Sequence, residues 1–196
     1  KLTPAFPEGG WPAAGDRFEA DATLAVEIGL YNPCPDPVRL GLAITLSPAN
    51  FAADDLVQAR DIVDLAPGAW STHALTLPVP RPMLWWPWSH GRPNLYGVRV
   101  EATEAESGAR AFAVEQRCGF REVRAVVGDD GAKRWEWWLN GLRIFPKGSN
   151  YICDFWLDTV DRSRYALDLA LARQANMDCL RVHAHVEKDE LYALAD

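Results

Sequence analysis

The most constraining feature of the chain is a ten-residue stretch in which every second side chain is apolar. Between Ala22 and Tyr31, residues Ala22, Leu24, Val26, Ile28 and Leu30 fall on one face, and Thr23, Ala25, Glu27 and Gly29 on the other. A period of two suits a strand with one buried face and cannot form the apolar stripe of a helix. Asn32-Pro33-Cys34-Pro35-Asp36-Pro37 then stops it, because proline withholds a ladder donor and sets turns. Strands are predicted again at Val38–Leu46, at Leu56–Val63, and after Pro67-Gly68 at Trp70–Leu77. Two more, Leu95–Ala102 and Ala109–Cys118, flank the Ser107-Gly108 turn. Short strands with Pro/Gly breaks and no helix between them imply an antiparallel β-sandwich of roughly 100 residues, the immunoglobulin-like size.

The texture changes after Gly119. Arg121–Val127 and Lys133–Leu139 flank Gly128-Asp129-Asp130-Gly131, and Asn140-Gly141 separates the second of them from Leu142–Phe145. Asn-Gly between apolar strands is a strong hairpin signal, since both residues tolerate positive φ. A β-meander over Arg121–Phe145 is therefore expected. The first good helix follows at Tyr165–Arg173, with Leu167, Ala170 and Leu171 on one face, Thr159 or Asp161 as its cap and Asn176 as a left-handed stop. Cys179–Val182 reads as a short buried strand and Glu187–Ala195 as a second helix. Strand and helix in alternation belong to parallel α/β folds. Two such units cannot close an eight-stranded barrel, so the C-terminal third is expected to open a larger domain.

Charge excludes one class of function. Lys+Arg total 20 against 27 Asp+Glu, a net charge of −7, whereas a nucleic-acid binder needs a basic footprint. No apolar run reaches the length of a membrane span, and Lys1–Trp11 lacks the apolar core of a signal peptide. Partners of neither kind are expected. Cys34, Cys118, Cys153 and Cys179 form no C-x-x-C pair, and they read as free thiols acting as small core hydrophobes. Tryptophan is the informative residue. Five of the nine cluster, at Trp85, Trp86 and Trp88 and at Trp137 and Trp138. Such rings either stack on sugars or fill a core or an interface. Asp154, Asp158 and Asp161 read as cap and dipole chemistry at a helix start.

Leu84-Trp85-Trp86-Pro87, followed by Gly91-Arg92-Pro93-Asn94-Leu95-Tyr96, resembles a second-domain motif of glycoside hydrolase family 2, in its β-mannosidase and exo-glucosaminidase branch. Further matches keep the family's order. Gly119-Phe120-Arg121 resembles the exit from the sandwich. Leu139-Asn140-Gly141 and Ile144-Phe145-Pro146-Lys147-Gly148-Ser149-Asn150 are similar to the barrel entrance. Ala175-Asn176-Met177-Asp178-Cys179-Leu180-Arg181-Val182-His183 is similar to the second barrel strand, and Leu191-Tyr192-Ala193-Leu194-Ala195-Asp196 to the helix after it.

The resemblance implies a mainly β chain: an immunoglobulin-like antiparallel β-sandwich over residues 1–121, then the β-meander and first βα units of a truncated (β/α)8 barrel over 122–196. It implies a retaining β-glycosidase acting on a carbohydrate, with two glutamates about 5 Å apart on later barrel strands. This chain would therefore hold no catalytic residue, would be inactive alone, would need no cofactor or metal, and would contact the other domains of its parent. The alternatives are a carbohydrate-binding module that uses Trp85, Trp86 and Trp88, and a purely structural spacer. Substrate-binding candidates lie at the C-terminal ends of the barrel strands: Asn150, beside Tyr151, on the first, and Arg181, His183 and His185 on the second. Arg181 occupies the family's strand-two arginine. It would hold catalytic carboxylates ionised or oriented, or else form an ordinary core salt bridge. Separated only by Ala184, His183 and His185 are expected to point the same way in a strand. They could meet sugar hydroxyls, bind a metal, or play a plain hydrogen-bonded role. The mannosidase branch of the family has Trp and glycines where His183-Ala184-His185 stand, yet "LWWP" and "KGSN" lean toward that branch.

Overall fold

A computed structural model describes residues 1–12, 15–128, 135–154, 156 and 159–196. The chain divides into two compact units. The first is Lys1–Trp85 with Asn94–Glu122, and the second is Trp86–Pro93 with Val123–Asp196.

Among the described residues, the first unit holds seven strands in two antiparallel sheets. The three-stranded sheet has the order β1 (Leu2–Ala5), β2 (Ala22–Tyr31), β5 (Trp70–Val79). The four-stranded sheet has the order β4 (Val57–Leu65), β3 (Val38–Pro48), β6 (Tyr96–Glu104), β7 (Arg110–Cys118). The six expected strands are present with ends moved by up to two residues. The seventh, β1, carries no alternation long enough to read and contains Pro4, which an edge strand tolerates. It pairs Leu2 with Val26 through Ala5 with Thr23. The alternation of β2 points inward, where Leu30 meets Leu40, Leu42, Val63, Leu65 and Ala102 from the other sheet. This shared core makes the two sheets a sandwich.

The proline-rich break after β2 is held by one buried amide. Asn32 Nδ2 donates to the carbonyls of Asp36, Leu65 and Ala66, and its Oδ1 accepts from Cys34 N–H. A second apolar centre is aromatic. Phe6 packs on Trp11 and Phe18, and Tyr96 lies edge-on to Phe51 and Phe120. Tyr96 is fully buried, yet its hydroxyl is satisfied twice, accepting from Met83 N–H at 2.9 Å and donating to Asp55 at 2.8 Å. Asp55 also takes the Arg17 guanidinium. Burial, above all, raises the Tyr96 hydroxyl well above its ordinary range, so it stays a donor.

The Gly119-Phe120-Arg121 motif has a steric reason. A Cβ on Gly119 would stand 2.8 Å from Trp85 Cβ, and Arg121 lies over the Trp85 ring at 4.3 Å.

The second unit begins with a meander, β8 (Val123–Val127), β9 (Trp135–Leu139) and β10 (Leu142–Ile144), in the order β10-β9-β8. Asn140 and Gly141 both have positive φ, 48° and 73°, as the hairpin requires. The expected Asp129-Asp130-Gly131 turn and the start of the second meander strand lie outside the described residues. A strand–helix–strand unit follows: β11 (Gly148–Tyr151), α1 (Arg162–Gln174) and β12 (Cys179–Val182), the two strands parallel and adjacent. Helix α2 (Asp189–Ala195) ends it.

Asp161, not Thr159, caps α1, accepting from Arg164 N–H at 2.9 Å. Asn176, at φ 61°, stops the helix as expected. Its N–H donates to Arg173 O, and that of Met177 to Ala172 O. The inward side of α1 differs from the expected stripe. Tyr165 is fully buried with Leu169 packed beside it, whereas Leu167 and Leu171 are exposed. The thiols also differ from a uniform core reading. Cys153 is buried, and burial pushes the Cys118 thiol up to about 12, but Cys34 and Cys179 are exposed.

Two contacts fix the start of the parallel pair. A Cβ on Gly148 would lie 1.9 Å from Cys179 O, so only glycine allows this approach. The buried Asp178 carboxylate accepts from Lys147 N–H at 2.8 Å and from the Ser89 hydroxyl at 2.7 Å. Burial is the largest influence on this carboxyl and raises its pKa. These bonds and the Lys147 charge outweigh it, and the net value falls below the ordinary one.

Three outcomes are expected. Tyr96→Phe strands the Met83 N–H and should cost about 1–3 kcal/mol in denaturant unfolding. Gly148→Ala should cost about as much by overpacking and should remove amide-exchange protection from Ser149 to Tyr151. The Asp178 contribution is present above the unfolded carboxyl pKa and is lost as pH falls through the lower folded value. Asp178→Asn should therefore lower thermal stability at neutral pH and flatten its acid limb.

Candidate functional site

The parallel register sets Asn150 opposite Arg181 and Tyr151 opposite Val182. Side chains alternate across a strand, so the two pairs face opposite ways. Tyr151 and Val182 pack into the cluster of Cys153, Val160, Tyr165 and Leu191 under α1. The Tyr151 hydroxyl donates to Asp168 at 2.8 Å, and Asp168 also takes Arg164. Tyr151 thus serves the strand–helix packing. Asn150 and Arg181 lie on the exposed face, at the C-terminal ends of the two strands.

Three of the expected residues come together there. Arg181 Nη1 donates to Asn150 Oδ1 at 3.0 Å and lies 2.8 Å from His183 Nδ1. A guanidinium only donates, so His183 Nδ1 accepts and the ring's proton sits on Nε2. Among the described residues Arg181 makes no carboxylate bridge.

His185 does not join them. Strand β12 ends at Val182, and Ala184 sits in the left-handed region at φ 68°. The period-two argument that aimed both imidazoles the same way does not apply beyond the strand end. His185 Nε2 instead lies 2.6 Å from Oε1 of Glu187, whose Oε2 accepts from the Tyr165 hydroxyl at 2.6 Å. Glu187 and Tyr165 carried no functional signal in the sequence, where one reads as a helix-start acid and the other as a helix-face aromatic. The readable clue was the His-x-Glu spacing beside the strand end.

The tryptophans divide. Trp86 is buried. The Trp88 indole donates to Met177 O at 3.0 Å, with Arg173 over its ring at 5.3 Å. Trp138 donates to Glu136. Trp86 is thus withdrawn from solvent, while Trp88, 37% exposed, is held by Met177 and Arg173 within the second unit.

Known proteins resemble this chain. Residues 14–121 match the family described as Glycosyl hydrolases family 2. An exo-β-D-glucosaminidase of Streptomyces avermitilis is 34% identical over 182 residues, which are 90% of this chain and 19% of that protein. β-Mannosidase A of Aspergillus terreus is 30% identical over 176 residues, 82% of this chain and 18% of that protein. Among solved structures, the exo-chitosanase of Amycolatopsis orientalis superposes with a TM-score of 0.75 at 22% identity, over 90% of this chain and 19% of that one. The chain thus spans about a fifth of the length of the relatives it matches. With the match covering more than half of its residues and relatives alike in sequence on both sides of Glu122, the chain belongs to glycosyl hydrolases family 2.

Proposed function

We propose that this chain is part of a retaining β-glycosidase of the β-mannosidase or exo-glucosaminidase type, and that it supplies one wall of the sugar site. Residues 1–121 form the immunoglobulin-like domain in this reading, and 122–196 open a (β/α)8 barrel. The observation that carries it is the Asn150–Arg181 pair. Two polar side chains, joined to each other, stand at the C-terminal ends of adjacent parallel strands, the end at which such barrels keep their sites. Asn150, Arg181, His183 and His185 bind substrate, and the acid/base and nucleophile carboxylates come from later strands of the longer enzyme.

The exposed apolar side chains of the second unit fit this reading. Leu167, Leu171 and Val186 are more than half exposed, as expected of surfaces that further barrel elements cover. Arg181 then acts as a fixed cation with Asn150 and His183 as its holders, and its remaining donors serve substrate or the catalytic carboxylates.

Two assays test this. The 196-residue chain should not hydrolyse aryl β-mannosides or β-glucosides; turnover by it would place the carboxylates within these residues. In the full-length glycosidase, Arg181→Ala should lower kcat/KM for the preferred aryl glycoside about ten- to a hundredfold, the scale of one charged hydrogen bond. Arg39→Ala, at an exposed ion pair with Asp64, should leave it unchanged. An Arg181→Ala enzyme with undiminished kcat/KM would remove this residue from the site.

A further inference from the structure

Glu187 is an unusual carboxylate for a loop, since its side chain is fully buried. A carboxylate shut from water needs partners for both oxygens. Tyr165 fills Oε2 from α1 and His185 fills Oε1, each at 2.6 Å. Tyr165 is itself fully buried. Burial first, and the adjacent carboxylate second, push its hydroxyl up to about 12, so it remains a donor. With both oxygens accepting, the His185 proton facing Glu187 sits on Nε2. That leaves Nδ1 as the ring's other nitrogen, on a side chain 27% exposed. The loop that carries it is pinned on both sides. His183 N–H donates to Tyr151 O at 3.1 Å, and Lys188 Nζ donates to Val160 O at 2.8 Å.

His183 is held the opposite way round, with Nδ1 taken by Arg181 and Nε2–H left over. At alkaline pH, where both rings are neutral, the two imidazoles offer opposite polarity, one donor and one acceptor. A hydroxyl is both donor and acceptor, so a polyhydroxylated ligand can answer both.

We propose that Tyr165 and Glu187 are positioning residues that lock the His185 ring with Nε2–H turned inward, so that Nδ1 accepts a hydrogen bond from a hydroxyl of a bound pyranose while His183 Nε2–H donates to one. This rests on the reading that the C-terminal ends of β11 and β12 face sugar, and the test separates the two.

The experiment is NMR of the uniformly 15N-labelled full chain, titrated at alkaline pH with methyl β-mannopyranoside and methyl β-glucosaminide. Before sugar is added, His185 Nε2–H should give a downfield, slowly exchanging resonance. Glu187→Met should abolish it, and Tyr165→Phe should keep it with faster exchange. Either sugar should then move the His185 Nδ1 and His183 Nε2 resonances together, and in Glu187→Met only that of His183. Should Glu187→Met not fold, Tyr165→Phe carries the test, with a severalfold weaker sugar response at His185 and none lost at His183. A missing Nε2–H resonance in the wild-type chain, or sugar shifts at Arg181 and His183 that spare His185, overturns the proposal. Silence at Asn150, Arg181, His183 and His185 together overturns the sugar-site reading beneath it.

Discussion

Everything at the candidate site depends on how closely two strands approach at their first residues. Gly148 sits against the carbonyl of Cys179 with no room for a Cβ. That contact, with Asp178 bound to the Lys147 amide, sets the register of β11 and β12. In a sheet a slip of one residue turns every side chain over. The same slip of either strand here would send its polar residue, Asn150 or Arg181, into the apolar layer under α1 and bring Tyr151 or Val182 out. The geometry of the polar face is therefore decided at the opposite end of the strands from the face itself.

The sandwich follows a different logic. Three of its strand pairs, β2–β5, β3–β4 and β3–β6, run over nine or ten residues, so register there is spread along whole ladders. Polar groups in its interior at Asn32 and along the Tyr96–Asp55–Arg17 chain are satisfied. These bonds fix loops and not chemistry. The unit offers a scaffold whose motif residues, Gly119, Trp85 and Tyr96, are explained by packing.

Much of this was legible in the sequence, and the failures are specific. Strict alternation announced β2, and Asn140-Gly141 announced the hairpin, because both rest on local geometry. Strand β1 was missed because four residues with a proline show no period. The candidate set was half legible. Asn150 and Arg181 were placed together by the register of two parallel strands, which sequence similarity carries. His183 and His185 were expected on one face because nothing in a tripeptide His-Ala-His shows that the strand has already ended. Glu187 was missed for a related reason. A glutamate before a helix is ordinary, and only the tertiary fold reveals that Tyr165, twenty-two residues earlier, closes over it.

Ala184 adds a constraint of its own. An L-residue at φ 68° is held against its preference, at a cost of about 1 kcal/mol, so its neighbours must impose the bend. Any β-branched side chain at that position would raise the cost further, while glycine would release it and loosen the segment. Substitution in this loop is therefore channelled. Position 184 is confined to a few small residues, and diversity in what the loop presents has to arise on either side of it.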